Sequence, residues 1–223
     1  MAVAARLAGS GLAAEMFILS LDHGDTIRQL LPNPLYEMPR FWSRDGDRIV
    51  YTQRNAREGQ GWNIWELPLE PPGDPRPLAE LEGNQAGPTL SPDGRWLDYH
   101  SNETGRYQIY LKLADGRGRG RQISTDGGWA PVWSPDAKTI YYQNGSTMMA
   151  IDITSKPTLT AAKPRLLFDG VMELNPSNNA RSYDLSPDGR KFVMIQPEQD
   201  SATPQIPMVQ NWFDEMKRLV PVN

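Results

Sequence analysis

The sequence contains no cysteine. That absence removes a disulfide framework, a thiolate zinc centre and a cysteine nucleophile together. Histidine is nearly absent too, with only His23 and His100. A metal centre built on several histidines would therefore need more than one chain. No uninterrupted run of about 18 apolar residues occurs, so no membrane-spanning helix is expected. Positive charge is not in excess. The 23 Lys and Arg stand against 27 Asp and Glu, for a formal net charge of -4. Nothing in that balance draws nucleic acid or anionic lipid, and no nucleic-acid partner is expected.

What is present is turn chemistry and aromatic strand material. The 223 residues include 19 Gly and 20 Pro, with seven Trp and eight Tyr, which suits short strands joined by tight turns. Residues 1–15 are rich in Ala and Gly and carry one Arg (Arg6). They read as a disordered or signal-like N-terminus, since their apolar stretch is short and broken by Gly9, Ser10 and Gly11.

An internal repeat organises the rest. Four segments align: Arg40–Tyr51, Pro88–Tyr99, Pro131–Tyr142 and Tyr183–Met194. Each is anchored on a Ser-Pro-Asp-Gly hairpin or a near copy, at Ser43, Ser91, Ser134 and Ser186. The anchors are 48, 43 and 52 residues apart, the spacing of one four-stranded propeller blade. Proline presets φ at the first turn position, Asp bonds its own backbone, and Gly accepts positive φ. Arg44 replaces Pro in the first copy and Ala137 replaces Gly in the third. Each hairpin is followed by a third strand (Asn63–Leu67, Gln108–Lys112, Met148–Asp152) and a short fourth one (Arg76–Leu78, Arg121–Ile123, Arg165–Phe168). The fold class is thus all-β: a β-propeller of about four antiparallel blades.

The ends qualify that count. Phe17–Leu21 and Thr26–Leu30 read as the outer half of a blade, while the last anchor supplies an inner half, with Gln205–Val209 as a further strand. Pairing of the two halves would close the ring, the usual way to remove sheet edges. Otherwise two chains combine as a homo-oligomer, or the blades belong to a larger ring. Residues 16–210 form the propeller in this reading. Residues 211–223 form a C-terminal helix, capped by Asn211 and stopped by Pro221, with Trp212, Phe213, Met216 and Leu219 facing the propeller.

The Ser-Pro-Asp-Gly hairpins, with an Ile-Tyr third strand and the Gln122-Ile-Ser124 fourth strand, resemble the TolB-type, WD40-like propeller repeat. The resemblance runs over nearly the whole chain after Glu15. Such repeats occur in periplasmic TolB proteins, in propellers following bacterial serine/threonine kinase domains, and beside the catalytic domain of prolyl-oligopeptidase-type peptidases. The tail Val209–Lys217 is similar to that of the kinase-associated kind. The resemblance implies a protein or peptide partner and is compatible with a periplasmic or secreted setting, with a cytoplasmic one left open. The fold by itself assigns no function.

Catalytic motifs are few. There is no Gly-x-Ser-x-Gly elbow, P-loop or kinase motif, and Ser146 in Asn144–Met148 reads as a turn residue. Inner strands line a propeller axis, and carboxylates there can hold calcium. Asp184 and Glu37 are the candidate calcium ligands, with Asn178 approaching the same mouth from a loop. Asp22–Asp25 has some flavour of a calcium loop but reads more simply as a turn. Asp45, Asp93, Asp136 and Asp188 are expected to be structural turn residues. Trp62 and Trp129, with Asn178, are the candidate binding residues for a protein or sugar. Two functions follow. One is a non-catalytic scaffold for protein or peptide interaction, with no cofactor. The alternative is a calcium-dependent hydrolase, of lactonase or glycosidase type, with its site on the axis.

Overall fold

The structure is a computed structural model, and it describes residues 2–6, 14–19, 27–31, 36–54, 61–154, 159–170 and 181–195. Its described residues are all strand, turn and loop, and every strand pairing is antiparallel. No helix among them is long and apolar enough to cross a membrane.

Three successive blades form the body. The first contains β4 (Glu37–Trp42), β5 (Arg48–Arg54), β6 (Trp62–Pro68) and β7 (Arg76–Ala79). The second contains β8 (Gln85–Leu90), β9 (Trp96–Ser101), β10 (Gln108–Leu113) and β11 (Arg121–Gln122). The third contains β12 (Trp129–Trp133), β13 (Thr139–Asn144), β14 (Thr147–Thr154) and β16 (Arg165–Asp169), with the short β15 (Thr160–Ala161) paired to the far end of β14. The fourth repeat supplies a hairpin, β17 (Tyr183–Leu185) and β18 (Phe192–Met194).

The repeat dictates which side chains are inside. Six and eight residues after the first three anchor serines stand Ile49 and Tyr51, Leu97 and Tyr99, Ile140 and Tyr142, all essentially inaccessible to solvent, while Phe192 and Met194 of the fourth repeat are half-buried. Their spacing of two puts both on one face of the second strand. Each face then packs on the neighbouring sheet. Ile49 and Tyr51 meet Met16 and Leu31 before the first blade. Leu97 and Tyr99 meet Val50 and Ile64 between the first and second. Ile140 and Tyr142 meet Ile109 and Leu111 between the second and third. Burial of each such side chain is worth about 1.5–3 kcal/mol. The layers between blades, and not a single central core, therefore hold the stack together.

The four hairpin turns share one bonding pattern. The serine hydroxyl donates to the aspartate two residues on, at 2.5, 2.5, 2.7 and 2.6 Å for Ser43–Asp45, Ser91–Asp93, Ser134–Asp136 and Ser186–Asp188. The same serine oxygen accepts the backbone N–H of Arg48, Trp96, Thr139 or Lys191 at 2.9–3.0 Å. The four aspartates therefore accept the serine hydroxyl within each turn. The residue after each is in the left-handed region: Gly46, Gly94 and Gly189, and also Ala137 at φ +59°.

The N-terminal region departs from expectation. The start expected to be disordered or signal-like includes a strand, β1 (Ala2–Arg6), paired with β2 (Ala14–Leu19), which in turn pairs β3 (Ile27–Gln29). The edge of β2 that would receive the C-terminal half-blade is thus taken by β1. Among the described residues, this sheet and the β17–β18 hairpin are separate sheets. The expected third strand at Gln205–Val209, the helix in 211–223, the Asp22–Asp25 turn and Asn178 all lie outside the described residues.

Candidate functional site

The inner strands β4, β8 and β12, with Arg181 just ahead of β17, line an open cavity of about 750 Å³. That size falls within the usual range of about 300–1,000 Å³ for ligand pockets. Local sequence shapes its wall. All three inner strands shift register at equivalent points, between Pro39 and Phe41, Ala86 and Thr89, and Trp129 and Val132. Proline cannot donate to a ladder, and Pro39, Pro88 and Pro131 sit at these irregularities. Gly87 and Ala130 take positive φ there, at +57° and +51°. A Cβ on Gly87 would lie 2.7 Å from the His100 ring, so the close approach of the two strands requires glycine.

His100 fixes the middle of the wall. Its Nδ1 accepts the Ala130 N–H at 3.3 Å, and Tyr107 packs edge-on at 5.3 Å. An accepting Nδ1 puts the proton of the neutral ring on Nε2. Beside it, the Thr89 hydroxyl donates to Asp98 Oδ1. Asp98 is fully buried. Burial pushes its pKa up to about 7, against the opposing pull of Thr89, Trp133 and Arg181.

Three arginines face this cavity. Arg40 donates from Nε and Nη2 to Thr52 Oγ1 at 3.0 and 2.9 Å. Burial lowers its pKa to about 10, which leaves it charged at neutral pH. Arg44 donates to the Pro92 carbonyl at 3.0 Å. Arg181 donates to Asp184 at 2.9 Å and lies 5.8 Å over the Tyr183 ring. The walls between them are apolar, from Phe41, Trp42, Leu90 and Val132. No carboxylate is among the described lining residues. The arrangement therefore offers cationic N–H donors on an apolar surface.

The residues singled out in the sequence are placed as follows. Asp184 is exposed on β17 and engaged by Arg181, and it does not line the cavity. Glu37 is fully buried at the start of β4, where its Oε1 accepts Gln53 Nε2 at 3.1 Å. No group of three or more metal-capable side chains occurs among the described residues. Trp129 corrects the expectation of a binding residue. It is 3% exposed and packs with Met148 and Tyr183, so it belongs to the layer between the third blade and the C-terminal hairpin. Trp62 is half-buried, edge-on to Tyr36 at 5.4 Å, away from the cavity lining. The arginines were missed as site residues. Arg44 was visible only as a departure from the proline of the other turns, and that departure was the signal.

No family model matches the chain. An uncharacterized protein of Agrobacterium fabrum (strain C58) is 27% identical over 167 residues, covering 69% of this chain and 53% of that protein. The chain thus spans about half the length of this curated relative. Among solved structures, TolB from Acinetobacter baumannii matches with a TM-score of 0.60 at 21% identity, over 86% of this chain and 45% of that one. A structure from Agrobacterium tumefaciens assigned to TolB matches at 0.56 and 23% identity, over 75% of this chain and 60% of that one. An oligogalacturonate lyase in complex with manganese matches at 0.57 and 14% identity, over 82% and 50%, so the same architecture also carries an enzyme. Antiparallel blades in sequence order, a Ser-x-Asp turn repeated four times and these likenesses together identify the fold of this chain as a TolB-like β-propeller.

Proposed function

We propose that this chain is a non-catalytic binding propeller, and that it captures a segment of a protein or peptide partner in the cavity between its inner strands. The observation that carries this reading is the lining itself: apolar side chains and fixed N–H donors on a rigid strand framework. Such a surface suits recognition, because apolar walls hold a ligand's apolar groups while a few placed donors fix its orientation. The rigid inner strands also spare the ordering cost that a flexible loop would pay on binding. TolB-like architecture in the neighbours fits protein interaction at the level of fold. The alternative, a calcium-dependent hydrolase, draws on Asp184 and Glu37, whose carboxylates are engaged by Arg181 and Gln53.

A random-peptide library panned on the intact chain tests the proposal. Enriched peptides should crosslink to a photoreactive group placed at Trp42, which is 37% exposed on the cavity rim. Crosslinked fragments should map to β4, β8 and β12. Peptides that enrich but react only elsewhere would remove the cavity from the reading. Calcium-dependent hydrolysis of a lactone or glycoside, lost with chelator and with Asp184→Asn, would replace binding by catalysis.

A further inference from the structure

Building on the peptide-capture reading, we infer that the cavity selects acidic peptides. Their aspartate or glutamate side chains would meet Arg40, Arg44 and Arg181, and their apolar neighbours would lie on Phe41, Trp42 and Val132. The first support is where the repeat breaks its own pattern. Three residues before the anchor serines stand Arg40, Pro88, Pro131 and Tyr183, and one residue after them stand Arg44, Pro92, Pro135 and Pro187. Only the first blade carries charge at these two positions, and both arginines line the same cavity. A position that served the turn alone would be met by proline, which presets φ. Arg44 gives that up and puts a guanidinium at the rim.

The second support is charge. The chain is acidic overall, at -4, yet its described cavity lining holds three arginines and no carboxylate. Asp184 offsets Arg181 from outside the lining. Asp98 lies beneath Thr89 and is held towards its neutral form by burial. The third support is donor supply. A guanidinium has five N–H groups in a planar fork that matches a carboxylate. Among the described residues Arg44 commits one to Pro92 and Arg181 one to Asp184, so each guanidinium has further N–H groups to offer a ligand. Arginines on apolar walls suit an amphipathic acidic segment better than a bare small anion, which would use the charge and leave Phe41, Trp42 and Val132 idle.

The test is fluorescence anisotropy on the full chain with a labelled octapeptide of alternating glutamate and leucine, beside the same peptide with glutamine in place of glutamate. The glutamate peptide should bind about tenfold tighter, and the advantage should shrink at about 0.5 M salt. In Arg44→Gln/Arg181→Gln the two peptides should become equal, with an unchanged thermal melt as the check on folding. If that variant fails to fold, Arg44→Glu, on an exposed turn, should reverse the preference. Equal binding of both peptides by the wild type overturns acid selection and leaves peptide capture standing. Absence of binding by either overturns acid selection, and the library experiment above decides capture separately. Displacement by inorganic phosphate at peptide-like concentration would reassign the cavity to small anions and overturn the inference.

Discussion

The Tyr183 hydroxyl donates to the carbonyl of Ala130, tying the C-terminal hairpin to the inner strand of the third blade. Both residues are buried, at 4% exposure each. The bond reaches Ala130 at the register shift of β12, where φ is +51°. It therefore pins the cavity wall next to Arg181. Tyr183→Phe keeps the ring and removes the donor that reaches the carbonyls of Ala130 and Tyr141. The expected cost is about 1–3 kcal/mol. Amide hydrogen exchange should show β17–β18 opening first, ahead of global unfolding. Unchanged protection of the hairpin would mean that ring packing against Phe192 and Met148 holds it, and not the hydrogen bond.

Ala137 occupies the turn position that is glycine in the other three repeats, at φ +59°. An L-residue in the left-handed region pays about 1–2 kcal/mol, and glycine recovers most of it while losing some in chain entropy. Ala137→Gly should thus stabilise the protein by roughly 0.5–1 kcal/mol. Gly94→Ala is the mirror experiment. A Cβ there would meet nothing within 4 Å, so its expected loss is backbone strain alone. Urea midpoints moving in opposite directions confirm the argument, and movement in the same direction refutes it.

The blades were legible because their determinants are local. Anchor, turn and the buried positions six and eight residues on all lie within twelve residues of sequence. The cavity was less so. Trp129 looks like a binding aromatic in sequence, and only its packing on Met148 and Tyr183 shows that it is core. Asp98 sits between Leu97 and Tyr99, and alternation alone would turn it to solvent. Yet neighbours cover both faces of a propeller blade, and Asp98 is fully buried where β9 meets β12. Alternation separates two faces but does not say which is wet. Asp184 stands out in sequence as a candidate calcium ligand, and its ion-pair partner Arg181 stands only three residues earlier.

The repeated Ser-x-Asp turn predicts a graded response to serine removal. Ser91 is 3% exposed, and its oxygen both donates to Asp93 and accepts the Trp96 N–H. Ser91→Ala leaves both without replacement from water and should cost about 1–2 kcal/mol. Ser186 makes the same two bonds in a solvent-exposed setting. Ser186→Ala should cost less than half as much, because water can take over. Equal losses in urea melts would show that the turn's geometry matters more than its burial.

Asp98 and the turn aspartates should divide the pH profile between them. Ser134 and backbone donors hold Asp136 below the usual carboxylate range, and the turns of Asp45 and Asp188 act likewise; at Asp93 burial opposes the shift but the same donors prevail. A depressed pKa contributes stability above the unfolded value, near 3.9, that is lost as pH falls through the folded one. Asp98 has the opposite sign. Burial raises it to about 7, so the folded chain keeps a proton that the unfolded chain has released. Its contribution to stability therefore declines as pH rises from about 4 to about 7 and then levels off. Asp98→Asn preserves shape and an oxygen for Thr89 without the titration. Its stability should match the wild type near pH 4, hold steady where the wild type declines, and exceed it at pH 8. The acid loss below about pH 4 should persist in the variant, since the turn aspartates cause it. Parallel profiles for the two proteins across the neutral range would show that Asp98 ionises inside the fold with a partner, and that the raised pKa is not a cost of burial.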